Sequence, residues 1–261
     1  MSRSPDPAVA EAADMEAGTP EAFTPAPAER WAAGPAPGYG ATQYARQVWA
    51  LVWKDLIAER RTKETLSATL VFGLLVVLIF NFAFDLRRAE MDLIGPGILW
   101  VAFIFAGILG LNRGFALEKD RGALEGLMLA PMDRSAIYVG KLISTLIFMS
   151  VMELVIVPVY SLLNNQPIRL DLIPVIFMGT LGFVAVGTIF AAIAANTRTR
   201  EVLLPILLFP ILVPVVITAV GATGIVLRGG EDLGPPLTML AAFDIVFLVV
   251  GVLVFGYVIE E

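Results

Sequence analysis

Six stretches of about 20 residues or more in this 261-residue chain carry almost no charge, and their length is the strongest constraint on its fold. The hydrocarbon core of a bilayer is about 30 Å thick, a distance that roughly 20 residues of α-helix cross. Within that core, a helix satisfies its own backbone hydrogen bonds. The stretches lie within 65–84, 93–112, 136–163, 172–197, 202–227 and 237–258. We therefore predict an all-α integral membrane protein with six transmembrane helices.

The composition excludes most other classes of protein. The chain is 57% hydrophobic and 16% charged, whereas a soluble domain is usually about 45–50% apolar and about 25% charged. It has no cysteine and no histidine, so thiolate and imidazole groups are unavailable for nucleophilic, metal or haem-redox chemistry. No basic face for nucleic acid is present either. We expect no catalytic residue, no metal site and no nucleic-acid partner.

The residues before the first span divide into two parts. Residues 1–41 are acidic, rich in alanine, and hold seven of the 17 prolines, so we expect a disordered tail rather than a cleaved signal peptide. Residues 42–64 show a helical stripe that includes Trp49 and Trp53, with cations such as Arg46 and Lys54 opposite. This pattern favours an amphipathic helix lying at the membrane interface.

The distribution of cations predicts the orientation in the membrane. Alternating connections carry 12 Lys and Arg residues on one side and four on the other. The twelve are Arg46, Lys54, Arg60, Arg61, Lys63, Arg113, Lys119, Arg121, Arg134, Lys141, Arg198 and Arg200. By the positive-inside rule, and with an even number of spans, both termini are predicted to be cytoplasmic. The domains are then the tail 1–41, the interfacial helix 42–64 and the membrane domain 65–261.

The largest predicted cytoplasmic connection, residues 113–134, is the main candidate for a partner-binding segment. Gly122 can bend the chain and Pro131 can stop a helix, so we predict two short helices at the membrane surface. Such a segment can insert into a groove of a cytoplasmic partner; the alternative is an ordinary solvated loop. The candidate residues are Leu117, Glu118, Arg121, Gly122, Leu124, Glu125, Leu127 and Pro131.

Several polar residues, prolines and glycines inside the spans are unusual in a lipid-facing helix and are candidates for function. Glu153 and Asp244 are acids within apolar runs, where a carboxylate is costly; they either line a moving polar interface or are neutral acids with local hydrogen bonds. Three prolines in the fifth span create a hinge or serve packing alone. Four residues near the predicted outer end of the second span form an outer mouth or a helix start. These two sets are Pro205, Pro210 and Pro214, and Gly95, Pro96, Gly97 and Trp100.

Four stretches of sequence carry a family resemblance. The run from Glu118 through Gly122-Ala123-Leu124-Glu125 to Pro131 is similar to the coupling segment of ABC-2-type export permeases. The others are Ile94-Gly95-Pro96-Gly97-Ile98-Leu99-Trp100-Val101, Gly140-Lys141-Leu142, and the proline-containing stretch from Leu203 to Val215. Together they make residues 43–258 resemble the CcmB family, the haem-exporter-type permeases of cytochrome c maturation. The acidic tail and the lack of recognisable haem ligands depart from that pattern.

The resemblance implies an ABC-2-type permease subunit in the bacterial plasma (inner) membrane, for haem export or haem-chaperone release in cytochrome c biogenesis. Haem is then a candidate for the transported species rather than a bound cofactor. It implies a cytoplasmic CcmA-like ATP-binding subunit and CcmC-, CcmD- and CcmE-like haem-handling partners in or at the membrane. The sequence agrees on one point. Gly140-Lys141 is followed by Leu142 and lacks the upstream glycine of a P-loop, so ATP hydrolysis is expected on a separate subunit.

Two other functions remain open from the sequence. One is an ABC-2 exporter of a lipid, drug or glycan. The other is a membrane scaffold that binds haem-handling assembly proteins without transporting anything. An intramembrane enzyme rests only on Glu153 and Asp244, and no nucleophile accompanies them.

Overall fold

The computed structural model describes residues 40–84, 88–120, 126, 132–195, 197, 200–230 and 232–260. Within those ranges the chain forms seven long α-helices and no β-strand. They are α1 (Ala41–Thr62), α2 (Glu64–Phe84), α3 (Arg88–Asp120), α4 (Arg134–Asn164), α5 (Leu172–Ala195), α6 (Arg200–Leu227) and α7 (Gly234–Glu260). Helices α2 to α7 each contain a segment long and apolar enough to cross a membrane. The prediction of an all-α membrane protein with six spans is confirmed.

Helix α5 is the centre of the bundle. It packs against α3, α4, α6 and α7, and 17 of its 24 residues are buried. Many of them are small, including Gly179, Gly182 and Gly187 and a run of alanines near its end. Small residues let helix backbones approach closely, which is the main source of packing attraction between helices in lipid. The four neighbouring helices are therefore all positioned by α5.

Helix α2 lies at the flank and is mostly uncovered. Its buried residues are Thr65, Thr69, Gly73 and Val77, which recur every four positions and so form a single stripe along one face. That stripe packs against α3 and α4. The remaining surface exposes large apolar side chains such as Ile79 and Phe82, as expected for a helix in contact with lipid.

Helix α1 packs on α4. Val48, Leu51 and Val52 are buried in this contact, and Gly140 of α4 leaves room for Leu51. Trp49 and Trp53 stay exposed and stack with ring centroids 6.4 Å apart. The position of α1 at a membrane interface stays a prediction, and residues 1–39 lie outside the described residues.

Helix α3 is longer than the sequence indicates. It begins at Arg88 and continues without a break past Asn112 to Asp120, so Pro96 lies inside the helix rather than at its start. The expected first short helix after Arg113 is therefore the end of α3. The reason is that a charge ends the part of a helix that can lie in lipid but does not end the helix itself.

The remaining helix ends follow local hydrogen bonding. Asp133 caps α4 by accepting a hydrogen bond from the Ser135 backbone N–H at 2.9 Å. Asn165 ends α4 in the left-handed conformation, with φ 49°, which asparagine tolerates better than most residues. Helix α6 continues through Pro205, Pro210 and Pro214 to Leu227, so residues 215–227 are helical.

Candidate functional site along the central helix

The predicted coupling segment is described only at its borders. Leu117 and Glu118 lie in the last turn of α3, which ends at Asp120. Helix α4 begins at Arg134, so the segment joins α3 directly to α4. The other predicted residues, Arg121, Gly122, Leu124, Glu125, Leu127 and Pro131, lie outside the described residues.

Glu153 of α4 is buried against α5. The side chain is enclosed, and the Thr180 hydroxyl donates a hydrogen bond to Glu153 Oε1. A polar group in an apolar interior is costly without such a partner. Because Thr180 has almost no exposed surface, the pair fixes the position of α4 relative to α5 at this level of the bundle.

Trp100 of α3 contacts α5 at Gly179, the residue before Thr180. Its indole Nε1 donates a hydrogen bond to Thr223 Oγ1 of α6 at 2.9 Å. The ring lies against Gly179, where a Cβ atom would stand only 2.2 Å from Trp100 Cη2. A single side chain therefore joins α3, α5 and α6. The sequence suggested an outer mouth for Trp100, which stays a prediction; the side chain is 2% exposed and packed among these helices.

Asp244 of α7 meets α5 on a different face. A Cβ atom at Gly182 would stand 2.7 Å from Asp244 Oδ1, so the absent side chain is what admits the carboxyl group. Gly182 follows Thr180 by two residues, or about 200° around a helix. The structure thus places Glu153 and Asp244 against different sides of α5. Asp244 Oδ1 has no hydrogen-bond partner among the described residues.

Tyr138 supplies a further polar contact to α5. Its hydroxyl donates to the backbone carbonyl of Ala185 at 3.0 Å. The ring fits against Gly251 of α7, where a Cβ atom would be 2.2 Å from the ring, and it packs on Phe255. Tyr138 therefore joins α4, α5 and α7.

A second polar cluster fastens α1 to α4. Asp55 Oδ2 lies 3.0 Å from Lys141 Nζ and accepts a hydrogen bond from the Ser144 hydroxyl at 2.9 Å. Asp55 Oδ1 lies 3.1 Å from Lys54 Nζ. Burial acts to raise the pKa of Asp55, but the two ammonium groups and the hydrogen bonds outweigh it and hold the pKa below its ordinary value. Asp55 is therefore ionised at neutral pH.

The predicted mouth and hinge residues occupy separate places. Gly95 lies at the contact between α3 and α4, where a Cβ atom would be 2.0 Å from the Tyr160 hydroxyl oxygen. Gly97 faces open space. The three prolines lie inside α6, where the Thr218 hydroxyl donates to the Pro214 carbonyl at 2.7 Å.

Several of these contacts could not be named from the sequence. Thr180, Thr223 and Tyr138 carry no charge, so nothing marks them within apolar runs. One weak signal exists for the second cluster, because Lys141 and Ser144 are three residues apart and so share a helix face. Their partner Asp55 lies 86 residues before Lys141, and local spacing does not reveal it.

The arrangement is suited to transmitting movement between helices. In the described part of the chain, no group of three His, Cys, Asp or Glu side chains could hold a metal ion. Helices α3 and α4, on either side of the predicted coupling segment, contact adjacent residues of α5 through Trp100 and Glu153.

Comparison with known proteins agrees with this architecture. The family model described as CcmB protein matches residues 46–260. A heme exporter protein B of Rhodobacter capsulatus is 32% identical over 196 residues, covering 74% of this chain and 88% of that protein. The heme exporter protein B of Bradyrhizobium diazoefficiens is 27% identical over 208 residues, covering 77% and 92%. That of Paracoccus denitrificans is 29% identical over 203 residues, covering 76% and 92%. The chain therefore belongs to the CcmB family.

Proposed function

We propose that this chain is the membrane permease subunit of an ATP-driven haem export system that serves cytochrome c biogenesis. Its work is to move haem, or to release a haem-loaded chaperone, and it catalyses no reaction itself. Family membership and the names of the relatives support the haem assignment.

The observation that supports the mechanism is that α3 and α4 both contact α5 at adjacent residues. Trp100 lies against Gly179 and Glu153 bonds to Thr180, so two helices hold neighbouring residues of a third. Residues 121–133 connect these two helices. A force on this segment that moves α3 and α4 would also move α5. Contacts through Tyr138 and Asp244 would extend the movement to α7.

The force must come from a partner, because the sequence contains no P-loop with which to bind nucleotide phosphates. We assign it to a cytoplasmic CcmA-like ATP-binding subunit that docks on the coupling segment, which requires both termini to be cytoplasmic. Its residues Leu117, Glu118, Arg121, Gly122, Leu124, Glu125, Leu127 and Pro131 supply apolar and charged groups for that interface. CcmC-, CcmD- and CcmE-like proteins would receive and carry the haem.

The experiment reverses one charge on the coupling segment in the assembled complex. Glu125→Lys is expected to lower both co-purification of the ATP-binding subunit and production of cytochrome c by at least about tenfold, since reversing a charge at an interface leaves partner groups unpaired. The matched control is Asp171→Lys, a charge reversal in the connection between α4 and α5, where the Asp171 side chain is 56% exposed. The control should leave both readouts unchanged.

Two results would contradict the proposal. If Glu125→Lys and the control behave alike, the segment is not the docking site. If the ATP-binding subunit is lost but cytochrome c production continues, the chain is a scaffold whose work needs no energy from ATP.

A further inference from the structure

We propose that this chain binds one anionic glycerophospholipid in a cavity between α1, α2, α3 and α4, called here the flank cavity. The cavity has a volume of about 580 Å³ and is lined mainly by apolar side chains. Its walls are the end of α1, the first turn of α2, the end of α3 and the first half of α4. The site does not depend on what the permease transports.

The shape of the flank cavity fits an acyl chain. Its lining on α4 extends from Lys141 to Val151, ten residues or about 15 Å of helix. That length is half of a hydrocarbon core about 30 Å thick, the depth of one leaflet. Gly107 and Met149 line it as well. An acyl chain lying along α4 would cover apolar surface that the helices leave uncovered.

Glycine creates part of this space. Gly110 and Gly114 of α3 both line the cavity. A Cβ atom at Gly114 would meet no atom within 4 Å, so the space beside α3 is open rather than filled by a neighbouring side chain. A larger residue at position 114 can therefore occupy the cavity without displacing the helices.

The polar end of the flank cavity matches a lipid phosphate. Arg60 and Lys63 line it where α1 meets α2, and neither makes an ion pair or side-chain hydrogen bond within the described ranges. Two acids also line this end. Glu59 Oε1 accepts from the Leu66 backbone N–H at 2.7 Å, and Asp55 pairs with Lys141. The charged side chains of the lining are Arg60, Lys63 and Lys141 against Asp55 and Glu59, so this end of the cavity carries a net charge of +1, which favours a phosphate.

The first test fills the cavity. The full chain is reconstituted in nanodiscs of phosphatidylcholine containing phosphatidylglycerol, transferred to detergent, and weighed with its retained lipid by native mass spectrometry. Wild type should retain one phosphatidylglycerol per chain, and Gly114→Leu should lose it. Gly221→Leu is the matched control, because Gly221 is an exposed helical glycine of α6 whose Cβ would also meet open space. Unchanged thermal unfolding of both variants excludes a folding defect.

The second test removes the phosphate contacts. Arg60→Gln with Lys63→Asn should weaken phosphatidylglycerol binding by about thirtyfold, since each cation near a lipid surface contributes roughly fivefold. Asparagine suits position 63 because Lys63 has φ 52°. Arg46→Gln is the control, an exposed cation on α1 that does not line the cavity.

Three results would overturn the proposal. Gly114→Leu could retain as much lipid as wild type, or the double variant could bind phosphatidylglycerol as tightly as the Arg46→Gln control. The third result concerns the mass that wild type retains and Gly114→Leu loses. If that mass is haem or a protein fragment, the cavity has another occupant.

Discussion

Helices α5 and α2 are both apolar enough to span a membrane, yet they are held in different ways. In their most apolar segments, 67% of the residues of α5 are buried and 17% of those of α2. Helix α5 is held on several faces by polar side chains and by large rings set against its glycines. Helix α2 packs along a single stripe of small residues, against side chains such as Ile156. The neighbouring helix α1 is held by the ion pair between Asp55 and Lys141. The hydropathy of a membrane-spanning helix therefore does not indicate how the helix packs in the bundle.

The largest difference in the free energy of unfolding is expected between two glycine substitutions, one in each helix. Gly179→Ala in α5 would place Cβ 2.2 Å from an indole that Thr223 holds in place. Gly73→Ala in α2 would place it 2.6 Å from Ile156 Cδ1, the end of a flexible chain. We expect Gly179→Ala to lower the free energy of unfolding by about 3 kcal/mol, as overpacking does, and Gly73→Ala to change it by less than about 1 kcal/mol. Reversible unfolding in mixed micelles measures both.

Equal effects of the two substitutions would contradict the distinction between a rigidly packed centre and an adaptable flank. Gly221→Ala serves as a baseline, because its Cβ would meet open space. It reports the gain in helix propensity alone.

A smaller effect is expected at Glu153. Glu153→Ala leaves the buried Thr180 hydroxyl without its acceptor, which should lower the free energy of unfolding by about 2 kcal/mol. Glu153→Gln keeps an acceptor oxygen and should recover most of this loss if the role is to hold α4 against α5. Export activity separates the roles. If Glu153→Gln is as stable as wild type but inactive, the carboxyl group does more than position α4.

The mostly buried ion pair between Asp55 and Lys141 should give an effect of about 2 kcal/mol that depends on pH, because Asp55→Asn removes the charge that pairs with the Lys141 ammonium group. The folded chain lowers the pKa of Asp55 below its ordinary value of 3.8, so the pair contributes stability above that pH and loses it as the pH falls through the lower, folded value. Asp55→Asn should be less stable than wild type at neutral pH, and the difference should shrink below pH 3.8. A difference that stayed constant down to pH 2 would show that the charge of Asp55 is not involved.

The smallest effect is expected for Thr223→Val. The substitution keeps the size of the side chain but removes the Oγ1 atom that accepts the hydrogen bond from Trp100 Nε1. Hydrogen bonds between membrane helices contribute about 0.6 kcal/mol on average, and a loss of that size is expected in the same unfolding assay. In a Trp100→Phe background, Thr223→Val should cost nothing further, because that background already lacks the bond.

The sequence predicted the spans well because crossing a bilayer requires long runs without charge. It predicted less about α3, since Arg113 ends the apolar run while the helix continues to Asp120. It did not predict which residues hold α5. Trp100 and Thr223 are 123 residues apart, and Glu153 and Thr180 are 27 apart. Such pairs depend on which helices are neighbours, and periodicity within one helix does not contain that information.

Site-directed labelling tests most directly whether the coupling segment faces the cytoplasm. The sequence has no cysteine, so one engineered cysteine is the only target for a membrane-impermeant maleimide. Gly126→Cys is suitable because Gly126 is exposed and a Cβ there meets no atom within 4 Å; Asp171→Cys reports the opposite side. In spheroplasts we predict labelling of Asp171→Cys at once and of Gly126→Cys only after permeabilisation. Immediate labelling of Gly126→Cys would contradict the account.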